Sequence, residues 1–260
     1  MKKKTLLIAL AIIAVIAGGC FKNHGKPADV PTVVGLDALV KTNRAEVVRL
    51  FLRGTTNRIP ADAFADLPKL QVLDLAECSF KDVPQGVFAL AALRDLYLAR
   101  NGLEKLPPEI ASLRNLRYLN LDGNRFAAVP DVVARLSSLK WLRLNENKLA
   151  EIPASLASLK DLRRLYVRRN SLSAVPEVVK EWPLLEDLAL DHNPIAEVPQ
   201  WLVSMPGLRN VSFAGCRIAK LPDDLSGWSN LSSLVLSGCP VPETEMKRIR
   251  AALPKVAMLF

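Results

Sequence analysis

Few side chains in this sequence could carry out catalysis. The candidates are two histidines and four cysteines: His24, His192, Cys20, Cys78, Cys216 and Cys239. A hydrolytic triad needs a base, an orienting group and a nucleophile that converge in one pocket. His192 stands between Asp191 and Asn193, but the repeat described below places no Ser or Cys opposite it. We therefore expect a solvated His192 and no catalytic centre.

Metal, nucleotide and nucleic-acid sites are not indicated either. The cysteines and histidines lack the spacings of zinc sites, and there is no Gly-rich phosphate loop or EF-hand-like acidic spacing. The formal net charge is +9, but the basic residues are not concentrated in one tract, as nucleic-acid binding would favour. With 50% hydrophobic and 23% charged residues, the composition is typical of a globular protein. Because these motifs are missing from the sequence, we expect a non-enzymatic protein without cofactor.

The first nineteen residues predict an export signal. Lys2–Lys4 give a positive start, and residues 5–19 are uncharged and mostly apolar. Fifteen helical residues would reach about 22 Å, short of the ~30 Å hydrocarbon core, so a signal peptide is favoured over a membrane-spanning helix. The end of this segment, Ile16-Ala17-Gly18-Gly19-Cys20, resembles the lipobox of bacterial lipoproteins. An ordinary secretory signal with an incidental cysteine remains the alternative.

The lipobox resemblance implies that Cys20 is lipidated, with palmitate among its acyl chains, and becomes the new N-terminus. Two or more acyl chains would anchor the protein stably to a membrane. Phe21 is not the Asp that retains enteric lipoproteins in the inner membrane, so the resemblance favours the outer membrane. Residues 20–31 are polar with Gly and Pro, and we interpret them as a flexible tether.

A 23-residue repeat organises most of the chain. One unit shows the pattern L-x-x-L-x-L-x-x-N-x-L at Leu93, Leu96, Leu98, Asn101 and Leu103. The pattern starts again in other units, more weakly in the first, at Val47, Leu70, Leu116, Leu139, Leu162, Leu185, Leu208 and Leu231. Prolines keep the same period at Pro84, Pro107, Pro130, Pro153, Pro176, Pro199 and Pro222. In the first unit, Ile59-Pro60 comes one residue early.

Each unit predicts one short strand at L-x-x-L-x-L, and stacked units would pair these strands in parallel. The leucines would be buried against neighbouring units, and the ninth-position Asn would bond backbone amides along the stack. The Pro would open the segment on the convex side, where a missing N–H costs least.

The repeat resembles the leucine-rich repeat family, in the 23-residue form of Ras-suppressor and Scribble-like proteins. The resemblance covers residues 47–241, as eight full units and a terminal partial unit. It implies an α/β solenoid with a curved parallel sheet on the concave face and loops or short helical turns on the convex face. Such a solenoid binds another macromolecule.

Both ends of a solenoid need a cap, because its core is otherwise exposed. Residues 32–46 could form a short helix over the first unit. Residues 242–253 have Pro at the first turn and acidic residues near the helix start, which predicts a helix. Residues 255–260 could add a final strand, so that 242–260 form the C-terminal cap.

Three cysteines occupy the ninth position of their units: Cys78, Cys216 and Cys239. We expect buried thiols in the stack, because the family uses Asn or Cys at this position. Cys216 and Cys239 would lie about 4.8 Å apart along the stack. A disulfide between them in an exported protein therefore remains an alternative.

The outward positions of each strand can be compared in columns, because residue i lies beside residue i+23. Tyr, Trp and Arg, the types that often dominate binding energy, concentrate in the third to sixth units. The predicted protein-binding residues are Tyr97, Tyr118, Trp141, Arg143, Arg164, Tyr166 and Arg168.

The sixth unit is basic, with Arg163, Arg164, Arg168 and Arg169. Two interpretations remain open. These arginines could bind an anion, or they could pair with the acidic residues one unit further along, Glu186, Asp187 and Asp191.

The sequence thus predicts a lipid-anchored, non-enzymatic protein-binding scaffold of the bacterial cell envelope, with a monomer favoured. The alternative is a structural envelope protein that binds peptidoglycan or lipopolysaccharide through the basic unit.

Overall fold

The computed structural model describes residues 30–55, 59–60 and 62–260. The predicted signal peptide, Cys20, His24 and most of the tether lie outside these residues. Within the described part, eleven strands form a single parallel sheet whose spatial order equals the sequence order. The strands are β1 Thr32–Val34, β2 Arg49–Phe51, β3 Val72–Asp74, β4 Asp95–Tyr97, β5 Tyr118–Asn120, β6 Trp141–Arg143, β7 Arg164–Tyr166, β8 Asp187–Ala189, β9 Asn210–Ser212, β10 Ser233–Val235 and β11 Ala257–Leu259.

The strand register confirms the predicted period. Leu96 pairs with Leu119, and Leu119 pairs with Leu142. The same offset of one repeat holds from β2 to β10. The two outermost pairings differ, because Thr32 pairs with Arg49 and Ser233 with Ala257.

Short helical segments cover the other side of the sheet. The 3-10 turns are Arg44–Glu46, Gln85–Ala89, Pro108–Ser112, Asp131–Arg135, Ala154–Ser158, Glu177–Glu181 and Ser226–Trp228. The α-helices are α1 Leu36–Val40, α2 Gln200–Val203 and α3 Glu243–Ala252. A repeat proline directly precedes six of these segments, from Pro84 at the first to Pro199 at α2. The prediction that Pro opens this side is confirmed there, since that residue needs no helical N–H.

The repeat leucines form one continuous core between the sheet and the helical side. Leu96, Leu98 and Leu119 are fully buried. Each leucine packs against the units before and after it, so that every unit depends on its neighbours for burial.

The ninth-position asparagines bind the backbone of two units at once. The Asn124 amide donates to the Leu98 and Leu121 carbonyls at 3.0 Å, and its Oδ1 accepts the Leu103 N–H at 3.2 Å. The same arrangement is found at Asn101, Asn147, Asn170 and Asn193. These contacts confirm the predicted role, because a buried backbone group without a partner is costly.

The three ninth-position cysteines are free thiols. The Cys78 Sγ donates to the Leu52 carbonyl at 3.1 Å and the Cys216 Sγ to the Leu190 carbonyl at 3.4 Å. These carbonyls correspond in position to the one that each asparagine bonds in the preceding unit. Burial raises the pKa of Cys216 to about 11, so its thiol is protonated at neutral pH.

Both ends of the described stack carry additional elements. At the N-terminal end, α1 is joined by β1, which pairs with β2 and was not predicted. At the other end, α3 and β11 lie where the sequence predicts a helix and a strand. The Arg248 guanidinium donates to the carbonyls of Leu221, Pro222 and Asp223. These bonds attach α3 to the last units.

Candidate functional site

The face of the sheet opposite the helical side, the predicted concave face, presents two side chains from each strand. Four aromatic rings form a continuous chain of contacts across β4 to β7. The Tyr97 and Tyr118 ring centroids lie 4.8 Å apart, as do those of Tyr118 and Trp141, and Trp141 and Tyr166 are separated by 5.7 Å. The last two pairs are edge-to-face, a favourable geometry for aromatic rings.

Three arginines lie over these rings. The Arg164 guanidinium lies 4.9 Å from the Trp141 centroid. Arg143 and Arg168 both lie over Tyr166, at 5.6 and 5.4 Å. Cation–π contacts of this kind are attractive. The structure thus brings together all seven predicted binding residues, which we call the aromatic–arginine cluster: Tyr97, Tyr118, Trp141, Arg143, Arg164, Tyr166 and Arg168. Their role in binding stays a prediction.

The cluster is more buried than its outward positions suggest. Tyr118 is 5% exposed and Tyr166 is 3% exposed, so a partner could contact little of these two side chains directly. Neighbouring rings and arginines cover them. Burial raises the pKa of Tyr166 to about 12 and also raises that of Tyr118. Both hydroxyls are therefore protonated at neutral pH.

Three of the four arginines of the sixth unit are paired with acidic residues. Arg163 Nη1 lies 2.6 Å from Glu186 Oε1, and Arg164 Nε lies 3.0 Å from Asp187 Oδ2. Arg168 Nε lies 2.7 Å from Asp191 Oδ2. The second interpretation of the basic unit, self-pairing with the next unit, is thus confirmed for three of its four arginines.

Arg143 and Arg168 differ in their electrostatic balance. Burial disfavours the charged form of both. For Arg168 burial outweighs the attraction of Asp191 and lowers the pKa. For Arg143 burial is again the largest single effect, but attraction to Asp122, whose Oδ2 lies 2.6 Å from Nη2, together with the contributions of Tyr118 and Tyr166 outweighs it, and the pKa is raised. Although Arg168 Nε is close to Asp191, it does not form a hydrogen bond of normal geometry.

Two family models match the sequence. A "leucine-rich repeat region" matches residues 107–214, and a "leucine rich repeat" matches residues 68–126. Together they span more than half of the chain and follow the 23-residue units seen in the sheet. The chain is a leucine-rich repeat protein. Among curated protein sequences, none matches it significantly.

Solved structures of leucine-rich repeat proteins share the fold. A leucine-rich repeat protein of Leptospira interrogans is 25% identical with a TM-score of 0.62, over 83% of this chain and 67% of that one. An internalin of Listeria monocytogenes is 22% identical with a TM-score of 0.67, over the same shares. The ectodomain of the Arabidopsis thaliana receptor kinase GASSHO1/SCHENGEN3, solved in complex with CASPARIAN STRIP INTEGRITY FACTOR 2, is 27% identical with a TM-score of 0.58. It is matched over 75% of this chain and 24% of its own.

Leucine-rich repeat proteins are typically interaction scaffolds without enzymatic activity. His192 of this leucine-rich repeat protein is exposed and lies over Gly215, where an added Cβ would come within 2.4 Å of His192 Nδ1. Among the described residues there is no group of acidic, His and Cys side chains arranged to hold a metal ion. In the same part of the chain, we find no helix with the length and apolar character needed to cross a bilayer.

Sequence reasoning missed a second polar ladder in this leucine-rich repeat protein. Asp122 Oδ1 accepts the Asn145 N–H, and Asn145 Oδ1 accepts the Arg168 N–H, both at 2.8 Å. Asp191 Oδ1 accepts the Ala214 N–H at the same distance. The sequence could have indicated this ladder, because its acceptors, Asp122, Asn145 and Asp191, all occupy the seventh position of their units. This ladder fixes the strand ends beneath Arg143 and Arg168.

A groove of about 610 Å³ along the starting edge of the strands was also missed. It borders the aromatic–arginine cluster at Tyr118 and Trp141, and several basic residues line it. The sequence could have indicated the basic side of this groove, because the second position of three consecutive units is occupied by Arg94, Arg117 and Lys140.

Proposed function

We propose that this chain is a lipid-anchored, non-enzymatic scaffold of the bacterial cell envelope that binds a protein partner through its concave face. The aromatic–arginine cluster is the observation that carries the proposal. It joins the residue types that most often dominate protein interfaces in one connected group. The lipid anchor would be Cys20, and the outer membrane is the favoured location.

The accessible members of the cluster are Tyr97, Trp141 and Arg164. Arg164 retains 41% of its side-chain exposure, and Tyr97 and Trp141 are half-buried. Buried neighbours hold these side chains in place, which reduces the entropy lost on binding. Among the described residues, Trp141 Nε1 has no hydrogen-bond partner. This nitrogen is itself buried, so the exposed part of the Trp141 ring offers a partner apolar contact and not a hydrogen bond.

The cluster alone is too small for a stable interface. Its four strands span only ~14 Å across the sheet, whereas a standard interface buries about 800 Å² on each partner. Adjacent strands must therefore contribute. The Arabidopsis receptor kinase solved with its bound factor supports a polypeptide partner, although this chain spans only 24% of that receptor's length.

An anionic glycan bound through the sixth unit is less well supported. Arg163, Arg164 and Arg168 each have an acidic partner in the next unit. A glycan would have to displace these carboxylates before it could bind the arginines. We therefore do not favour this alternative.

Affinity capture from envelope extract tests the proposed surface. The variant Trp141→Ala/Arg164→Ala removes two accessible side chains of the cluster. A matched control, Trp201→Ala/Arg135→Ala, removes the same residue types from the helical side. We expect wild type and control to retain the same specific partner and the cluster variant to lose at least about 90% of it, since central aromatic and Arg residues each contribute about 2 kcal/mol or more. Equal capture by all three proteins would refute the proposal that the cluster is part of the binding surface.

Incorporation of labelled palmitate tests the anchor separately. We expect label in the wild-type protein and none in Cys20→Ala, while Cys239→Ala should be labelled normally. Label retained by Cys20→Ala would contradict lipidation at this residue.

A further inference from the structure

The second position of each repeat forms a row along the starting edge of the sheet. The backbone N–H of Arg117 donates to the Arg94 carbonyl at 2.7 Å, and that of Lys140 donates to the Arg117 carbonyl at 2.8 Å. The N–H of Arg163 continues the ladder to the Lys140 carbonyl at 2.9 Å. Adjacent members of the row are therefore about 4.8 Å apart. Four consecutive members are basic.

Only the last of these four cations is neutralised within the described chain. Arg163 pairs with Glu186 at 2.6 Å. By contrast, Arg94, Arg117 and Lys140 form no ion pair with any described residue. Arg94 and Arg117 are exposed, and Lys140 is half-buried. Like charges on neighbouring strands repel each other, and a bound anion would relieve that repulsion.

The row forms one side of the groove beside the cluster. Its other lining residues are Val30, Pro31, Val48, Arg49, Gln71, Val72, Asp95, Tyr118 and Trp141. Among the described residues, the lining therefore contains four cations and one carboxylate, together with apolar side chains and two aromatic rings. A ligand that fits must be anionic on one side and must tolerate apolar contacts on the other.

The rings in the groove do not present open faces. Tyr118 is buried, and Arg164 covers a face of Trp141. A sugar ring that stacks on an aromatic face would therefore find little surface here. A polypeptide fits better, because its carboxylates can form paired hydrogen bonds with arginines while the intervening side chains contact Val48 and Val72.

We propose that this groove binds an extended acidic segment of the protein partner, with its carboxylates paired to Arg94, Arg117 and Lys140. The three cations span about 10 Å, close to the length of three residues of extended chain. Alternate side chains of such a segment point the same way, about 7 Å apart. An acidic-x-acidic stretch is thus the smallest motif that reaches the row. This inference rests on the protein-binding function proposed above.

Fluorescence anisotropy with two labelled peptides tests this. The first is a ten-residue peptide of alternating Glu and Val, and the second has Gln in place of every Glu. We expect the purified protein to bind the Glu peptide at least tenfold more tightly than the Gln peptide. Affinity for the Glu peptide should fall as salt rises, because exposed ion pairs are screened. Equal affinity for both peptides would overturn the proposal.

A matched pair of variants locates the site. Arg94→Gln/Arg117→Gln/Lys140→Gln should weaken binding of the Glu peptide at least tenfold. The control, Arg114→Gln/Arg135→Gln/Lys148→Gln, removes the same charge from exposed positions outside the groove and should bind like wild type. All six side chains are on the surface or half-buried, so the thermal transition of both variants should stay close to that of wild type, which shows that they are folded. Equal binding by the two variants would refute the groove as the site.

Inorganic polyphosphate provides the remaining comparison. If it binds through the row and the Glu peptide does not, the ligand is a non-protein polyanion and the proposal is wrong. Failure here leaves the scaffold function testable, because Arg164 does not line the groove and capture by the single variant Arg164→Ala reports on the cluster alone. Conversely, wild-type capture by that variant, together with retained Glu-peptide binding, would contradict the cluster and not the groove.

Discussion

Asp74 and Asn120 occupy the same position of their units, on the concave face of β3 and β5. Each accepts the N–H of the residue two positions further along, Ala76 and Asp122, at 2.9 Å. Asp74 is only 2% exposed, and burial raises its pKa above the ordinary 3.8. The carboxylate is therefore less favourable in the folded protein than in the unfolded chain at neutral pH.

Replacing Asp74 by Asn should stabilise the protein at pH 7. The amide keeps the acceptor for Ala76 and has no charge to desolvate. A raised folded pKa means that the stability contributed by the protonated carboxyl is present below pH 3.8 and lost as pH rises through the folded value. The gain in Tm of Asp74→Asn should thus disappear at about pH 3. Thermal unfolding at pH 7 and at about pH 3 measures this gain. Asn120→Asp should instead lower the Tm at pH 7.

At the same scale, the sequence predicted which side chains are neighbours and not how they cover one another. The spacing of 23 residues placed Arg164 beside Asp187, and the two are paired. It could not indicate that Arg164 also lies over Trp141, because that depends on side-chain rotamers. The burial of Tyr118 and Tyr166 was missed for the same reason.

The strands and turns repeat one set of backbone contacts, and the ninth position ties them together. Asn124 satisfies three backbone groups, two in the preceding unit and one in its own unit. Cysteine at this position satisfies fewer, since its thiol is a single, weak donor to a carbonyl. The ninth position thus connects adjacent units through several hydrogen bonds where it is Asn and through fewer where it is Cys.

Asn124→Ala should cost about 2–3 kcal/mol, because it leaves buried backbone groups without partners. This corresponds to a fall in Tm of about 5–10 °C. Asn124→Cys should cost less, as the thiol can reproduce the contact seen from Cys78 to Leu52. Calorimetry of the two variants measures the difference. If the Cys variant is as unstable as the Ala variant, the side-chain donor is not what stabilises this position.

The period predicted the elements within the repeats well and the elements outside them less well. Strands β2 to β10 follow directly from the leucine pattern. Strand β1 was missed because residues 32–34 lie before the repeats and pair with β2 at a different offset. Only the packed first unit determines that pairing.

In the whole molecule, each unit is stabilised by contacts with its neighbours. An end unit has only one neighbouring repeat, so its stability depends on the cap that covers it. The C-terminal helix α3 is attached by Glu245 and Arg248. Glu245 Oε1 accepts the Leu221 N–H at 2.9 Å, and both Glu245 oxygens accept hydrogen bonds from Arg248 at 2.8 Å. The bond to Arg248 holds the pKa of Glu245 below the ordinary 4.5.

Acid should therefore loosen this end of the molecule. A lowered folded pKa means that Glu245 contributes stability above pH 4.5 and that this contribution is lost as pH falls through the folded value. The protection of α3 and β11 against hydrogen exchange, corrected for the intrinsic pH dependence of amide exchange, should fall in that range for wild type. Glu245→Gln should show lower protection than wild type at pH 7, and its protection should change little on acidification. Glu243→Gln is the control, since Glu243 is 80% exposed and pairs with Lys247 alone. Indistinguishable profiles for the two variants would exclude Glu245 as the pH-sensitive attachment.

The identity of spatial and sequence order in the sheet has a consequence for how such a surface can evolve. Each of the eleven described strands pairs only with its neighbours in sequence, so duplication of one whole unit, such as residues 116–138, would leave every other described pairing intact. The copy would add a second Arg117 and lengthen the unpaired row of cations by about 4.8 Å. Duplication of single units would thus change the length of the groove, and the number of cations along it, one unit at a time.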